Sequence, residues 1–184
     1  MEIRRIETPL DEKTVGQLIA GEKVFLSGFI YTARDAAHKR FMETLKGGGS
    51  LPFNIEGQVI YYCGPSPAPP GRVIGACGPT TSTRMDAYAA DLLALGLKGM
   101  IGKGRRSRAV RDAIMEHKAV YFGGTGGAGA LLSRCVLSAE TIAYEDLGPE
   151  AVVKLGVKDF PLFVINDTMG GDLYEAGLRK YRRL

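Results

Sequence analysis

The chain predicts an α/β fold, a single domain over residues 1–184 with helices packed against a mixed or parallel sheet, and three observations carry that expectation. Short apolar runs of strand length alternate with stretches of helical period through the second half of the chain. Glycine and proline punctuate the boundaries, as in Gly47-Gly48-Gly49, Gly64-Pro65 and Gly78-Pro79. At 184 residues the chain is long enough to bury a self-sufficient core, and neither an internal repeat nor an interdomain linker interrupts it. Strands alternating with helices place the helices on a sheet.

In order, residues 3–6 read as a short strand, followed by a small helix capped by Asp11 or Thr14 and a strand over 23–31. Residues 33–43 hold strong helix formers, and Ala37, Phe41 and Leu45 recur at the spacing of one buried face. After the triple glycine come a strand-like stretch over 58–63, a proline-rich loop over 66–71 and a second short strand over 73–77. A helix is expected over 84–95, just after the hydroxyls of residues 80–83, which are natural caps. Strands at 97–101 and 119–122 flank a helix at 107–117. A short helix at 128–134, strand signal over 135–144 and again over 160–166, a turn at 167–171 and a helix from Leu173 complete the pattern.

Composition narrows the function classes. No apolar run approaches the roughly 20 residues that span a bilayer, and the start lacks the apolar core of a signal peptide, so the expected location is cytoplasmic. The net charge of +4 owes much to Arg179, Lys180, Arg182 and Arg183 at the end, which read as a solvated helix terminus or a subunit contact. Aromatic-basic interleaving and a helix-turn-helix pattern are both missing, which argues against nucleic acid. Cys63, Cys77 and Cys135 form no C-x-x-C pair and sit beside apolar runs, where a reduced thiol behaves as a small hydrophobe. With two histidines, His38 and His117, and no partners at ligand spacing, no metal site is expected in this chain.

The chemistry concentrates in Gly78-Pro79-Thr80-Thr81-Ser82-Thr83-Arg84-Met85-Asp86, where hydroxyls, a guanidinium and a carboxylate follow a glycine-proline turn. In Ile101-Gly102-Lys103-Gly104 a lysine stands between glycines at the exit of an apolar strand, where a ligand can approach closely. Convergence of the two segments would clamp a small dicarboxylate, Arg84 as a bidentate fork and Lys103 as a point charge. Gly124-Thr125-Gly126-Gly127-Ala128-Gly129 competes as a G-x-G-x-x-G dinucleotide fingerprint, with Glu145 and Asp146 downstream. That fingerprint normally occupies the first strand-helix turn of its domain, and here it stands two thirds of the way along before a brief helix. Small residues for close packing are the better reading.

Together with Arg34-Asp35-Ala36-Ala37-His38-Lys39-Arg40 and Tyr61-Tyr62-Cys63-Gly64-Pro65, these motifs make the chain resemble the beta subunit of class I, iron-sulfur-dependent fumarate hydratase. The beta subunit of L(+)-tartrate dehydratase shares the pattern, and the resemblance runs over nearly the whole chain. It implies a swivelling β/β/α type of fold and reversible hydration of fumarate to L-malate. It also implies a [4Fe-4S] cluster whose cysteines belong to a separate alpha subunit, in an assembly such as α2β2. Carried onto this sequence, the family's substrate-binding residues fall on Arg34, Arg84 and Lys103 and its catalytic base on Thr80, with Thr81 the adjacent candidate. His38 is then expected to orient Arg34, and Asp86 to orient Arg84. A threonine hydroxyl is a poor base at its ordinary pKa, so the partner subunit would have to activate it.

Overall fold

The computed structural model describes residues 3–183; Met1, Glu2 and Leu184, the extremes of the expected 1–184 domain, lie outside them. Strand β1 (Arg4–Glu7) pairs parallel with the first half of β2 (Lys23–Thr32). Between them α1 (Glu12–Gly16) starts at Asp11, whose carboxylate accepts the Thr14 N–H. The end of β2 lies parallel to β3 (Val59–Tyr61), which is parallel to β4 (Gly99–Gly102), which is parallel to β5 (Val120–Gly123). Strand β7 (Val152–Asn166) runs antiparallel to β2 along most of its length and to β5 at its far end, and β6 (Val136–Ala143) pairs with its first half. The seven-stranded sheet is therefore mixed, and its pairings close a circuit β2-β3-β4-β5-β7-β2 with β1 and β6 as outer flanks.

Strand periodicity sorts the side chains into two cores. Val59, Tyr61, Ile101, Val120 and Phe122 turn inward to meet Val24, Leu26, Ile30, Leu155, Phe160 and Leu162 from β2 and β7. The Tyr61 and Phe160 rings meet edge to face at 5.5 Å across this layer. Ile60, Met100 and Tyr121, one residue out of phase, face α2 (Asp35–Lys46), α3 (Asp86–Ala94) and α4 (Arg108–Glu116) through Ala37, Phe41, Ala89, Leu92, Val110 and Ile114. Each large side chain such as the fully buried Phe41 contributes about 1.5–3 kcal/mol relative to exposure. Two strand layers and one helix layer result, an α/β fold with a mixed sheet as the residue pattern implies. No helix among the described residues is long and apolar enough to cross a membrane.

Four local expectations change. Residues 73–77 form no strand: Ile74 and Cys77 are buried, but the segment runs as a loop beside Ser66 and Pro67, and Pro67 has no N–H to complete a ladder. The third long helix begins only at Asp86, after a 3₁₀ turn over Ser82–Met85, and no threonine side chain caps either one. Strand β7 starts at Val152, well before the expected 160, because pairing with both β2 and β6 holds a stretch whose lysines and glycine hide its period. The helix after the glycine-rich segment shrinks to α5 (Gly129–Leu132) and a 3₁₀ turn over Ser133–Cys135. The final helix, α6 (Leu173–Tyr181), is capped by Asp172, which accepts from the Tyr174 and Glu175 N–H groups.

Candidate active site

The C-terminal ends of the parallel strands form one rim, the place where open α/β sheets expose backbone for ligands. Arg34 leaves β2 there and stands at the N-terminus of α2. The Thr80 N–H donates to the Tyr62 carbonyl just beyond β3, at 2.7 Å, and the Lys103 N–H just beyond β4 donates to the Thr80 carbonyl at 3.2 Å. Ser82 N–H in turn donates to the Lys103 carbonyl at 2.9 Å, so residues 80–82 form a short strand-like insert between the ends of β3 and β4. Arg84 follows on the 3₁₀ turn and reaches Asp35 at the start of α2, with Nε 2.9 Å and Nη2 2.6 Å from its two carboxylate oxygens. Arg34, Thr80, Thr81, Arg84 and Lys103 thus share one edge of the molecule.

Both guanidinium groups are held by carboxylates. Glu150 lies 3.4 Å from Arg34 Nη2 and uses its other oxygen to accept the Ala36 N–H at 2.9 Å. The Arg34 side chain also crosses Gly64 so closely that a Cβ there would stand 2.7 Å from Nη1 and 2.9 Å from the Pro149 carbonyl, which is what the Gly64-Pro65 turn provides. Lys103 is exposed and makes no ion pair among the described residues, while Gly104 beside it takes φ +83°, a conformation that favours glycine. Gly102 on its other side is required because a Cβ there would overlap Ser82 Oγ. A depression of about 260 Å³ opens next to Lys103, lined by Gly124, Thr125, Phe163, Leu173 and Tyr174.

Of the two orienting residues, His38 reaches Arg34 only through its backbone, and Asp86 has a different partner. Asp86 does not hold Arg84; it accepts from Arg106 Nε at 2.8 Å and from the Ser107 N–H at 2.7 Å. Asp35 takes Arg84 instead, because the 3₁₀ turn swings Arg84 toward α2 while Asp86 faces α4. His38 touches Arg34 through its backbone: Nδ1–H donates to the Arg34 carbonyl at 2.8 Å, and the guanidinium belongs to Glu150. Burial lowers the His38 pKa to about 4, aided by the nearby Arg106 charge, so the ring is neutral.

Sequence reasoning missed Glu150, Arg106 and Tyr174. Arg106 stands in the run Gly104-Arg105-Arg106-Ser107-Arg108, which reads as a solvated basic stretch. Its side chain is nevertheless fully buried, bonded to Asp86 and to the Tyr62 hydroxyl at 3.1 Å, with its guanidinium carbon 5.2 and 5.1 Å from the Tyr62 and Tyr121 ring centres. Tyr174 is fixed by a contact between elements, its hydroxyl accepting the Gly104 N–H at 3.2 Å.

The three thiols do not suit an iron-sulfur cluster. Burial pushes Cys63 and Cys135 up and Cys77 up to about 11, which disfavours the thiolate that such a ligand needs. Among the described residues no three His, Cys, Asp or Glu side chains are grouped to hold a metal ion. The two ends of the glycine-rich segment serve packing, Gly124 lying on Pro79 and Gly129 approaching Gly78 so closely that a Cβ would stand 2.9 Å from its nitrogen, while Gly126 and Gly127 between them face open space. The helix that follows has four residues, too short for the helix terminus on which a dinucleotide phosphate rests.

Known proteins share this arrangement of sequence. The chain is 39% identical over 163 residues to the aerobic class I fumarate hydratase of Escherichia coli K12, covering 88% of this chain and 30% of that protein. It is 38% identical over 178 residues to fumarate hydratase 2 of Leishmania major, covering 94% of this chain and 31% of that one. The chain thus spans about a third of the length of these relatives. A putative L(+)-tartrate dehydratase subunit beta of Methanocaldococcus jannaschii is 36% identical over 182 residues, with 95% of this chain and 93% of that subunit covered. The family model described as Fumarase C-terminus matches residues 2–177, and the chain belongs to that family.

Proposed function

We propose that this chain is the beta-subunit half of a hydro-lyase that reversibly adds water to fumarate to give L-malate. The observation that carries the reading is the rim itself, where Arg34 beyond β2, Lys103 beyond β4 and Arg84 on the 3₁₀ turn flank the Thr80 segment. Two carboxylates of a small dicarboxylate match that set: the Arg84 fork takes one, and Arg34 with Lys103 takes the other. In the malate-to-fumarate direction the Thr80 oxygen removes the C3 proton, the electron pair of that bond forms the double bond, and the C2 hydroxyl leaves as hydroxide with the C–O pair, for which the partner's cluster would supply a Lewis acid. The Arg84 fork offsets the charge that develops on its carboxylate. Thr80 must first lose its own proton to a group of the partner.

The [4Fe-4S] cluster belongs, in this proposal, to a separate alpha subunit in an α2β2 assembly, since the thiols of this chain are unsuited to it. Swivelling of this domain over that subunit excludes water and brings the cations onto the substrate. The test is malate-to-fumarate conversion by the purified chain alone and then with its anaerobically prepared partner. Activity is expected only for the pair; robust turnover by the chain alone would overturn the reading. A relative matched along nearly its whole length carries the tartrate dehydratase name, which favours a second reading with L(+)-tartrate as substrate. A higher kcat/KM for L(+)-tartrate than for malate would select it.

A further inference from the structure

Beneath Lys103 lies a buried polar cluster that the proposed chemistry does not use. Tyr121, on the helix-facing side of β5, is fully buried, with its hydroxyl 2.9 Å from the Gly104 carbonyl oxygen and 2.8 Å from Ser82 Oγ. A phenol has one proton, and a carbonyl only accepts. The Tyr121 proton therefore goes to Gly104, and the Ser82 hydroxyl donates to the Tyr121 oxygen. Burial pushes the Tyr121 phenol up, which keeps that proton in place.

This relay joins the two backbone segments that flank the rim. Lys103 is held through its own N–H by the Thr80 carbonyl and through its carbonyl by the Ser82 N–H, and Gly104 is held by Tyr174 at its N–H and by Tyr121 at its carbonyl. Among these partners, Tyr121 is the side chain that grips both segments. Its ring is fixed by the buried Arg106 guanidinium, which Asp86 and Tyr62 hold in turn. Gly102 has no Cβ, which leaves Ser82 Oγ the space to reach Tyr121.

We propose that Tyr121 is a positioning residue that sets the direction of Lys103 through its bonds to Gly104 and Ser82. The inference rests on the hydro-lyase reading and deepens it at Lys103. Loss of one neutral hydrogen bond with its carbonyl left unpaired corresponds to a loss of about tenfold in kcat/KM. Because Lys103 holds a substrate carboxylate in ground and transition states alike, the loss should fall on KM.

The experiment is a double-mutant cycle on the enzyme assembled with its partner subunit, using Tyr121→Phe, Lys103→Ala and the pair, with Ser82→Ala as a second way to break the relay. Tyr121→Phe is expected to raise KM about tenfold with kcat changed less than about twofold, and to have almost no further effect when Lys103 is already alanine. Ser82→Ala should shift KM in the same direction by a smaller factor. A tenfold loss that persists in the Lys103→Ala background, or unchanged kinetics for Tyr121→Phe while Lys103→Ala is impaired, overturns the positioning role and leaves the hydro-lyase reading standing. If Lys103→Ala itself is fully active, the functional reading fails at Lys103 and this inference falls with it.

Discussion

His38 shows how a single side chain couples the site to stability. It is wholly buried among Phe41, Tyr62 and Tyr88, with ring centres 5.7, 5.5 and 5.7 Å away, and faces the charges of Arg106 and Asp35. Its folded pKa of about 4 lies below the ordinary value of 6.5, so the unfolded chain binds the proton first as pH falls. The stabilisation is complete above about pH 6.5 and is lost progressively between there and about 4, a loss of about 3 kcal/mol. Urea unfolding of the native chain at pH 7 and pH 4, set against His38→Asn, should show the native chain losing about that much more than the variant. Its neighbour Asp35 was legible in the sequence through the motif that contains it. Arg106 was not, because it is chemically identical to Arg105 and Arg108, and only packing against Tyr62 and Tyr121 separates a buried arginine from two exposed ones.

At the scale of elements, the start of α3 is tied to the start of α4 by one pair. Asp86 in the first turn of α3 accepts both Arg106 Nε and the Ser107 N–H, and Ser107 caps α4 by accepting the Val110 N–H. The Arg106 side chain has no exposure, so removing its partner leaves a charge buried without compensation. Asp86→Ala is expected to lower unfolding stability by about 3–5 kcal/mol in denaturant titration, whereas breaking the exposed Arg108–Asp112 pair should change it by less than about 0.5 kcal/mol. The glycine-proline turn before Thr80 announced this region in the sequence. The expected capping role of the threonines did not appear, because the chain enters α3 through a 3₁₀ turn and spends the backbone of residues 80–82 on the ends of β3 and β4.

For the whole molecule, the closed pairing circuit divides stable parts from peripheral ones. Strands β3, β4 and β5 are buried on both sides, while β6 is largely exposed and α6 has no buried residue. The last helix is held by Arg111 of α4, which reaches Asp172 and Glu175 at 3.0 and 2.5 Å, and by the partly buried Leu173 and Tyr174 against the helix-side core. Native-state hydrogen exchange should find the amides of β3 to β5 opening only with global unfolding, and those of α6 exchanging at least about 100-fold faster. Equal protection of α6 and β4 would contradict the partition. Because Tyr174 of α6 contacts Gly104, this peripheral element borders the exposed Lys103 of the rim.

By itself the sequence determined the alternation of strands and helices, the places where glycine must stand around Lys103, and the motifs that carry the family membership, because local periodicity and turn chemistry are properties of neighbours along the chain. Only the tertiary structure decided that β2 and β7 close the sheet, that Asp86 belongs to Arg106 and Asp35 to Arg84, and that Tyr121 underlies Lys103. Those pairings join residues far apart in the sequence, and their identity depends on which side chains the packed strands bring within reach of one another.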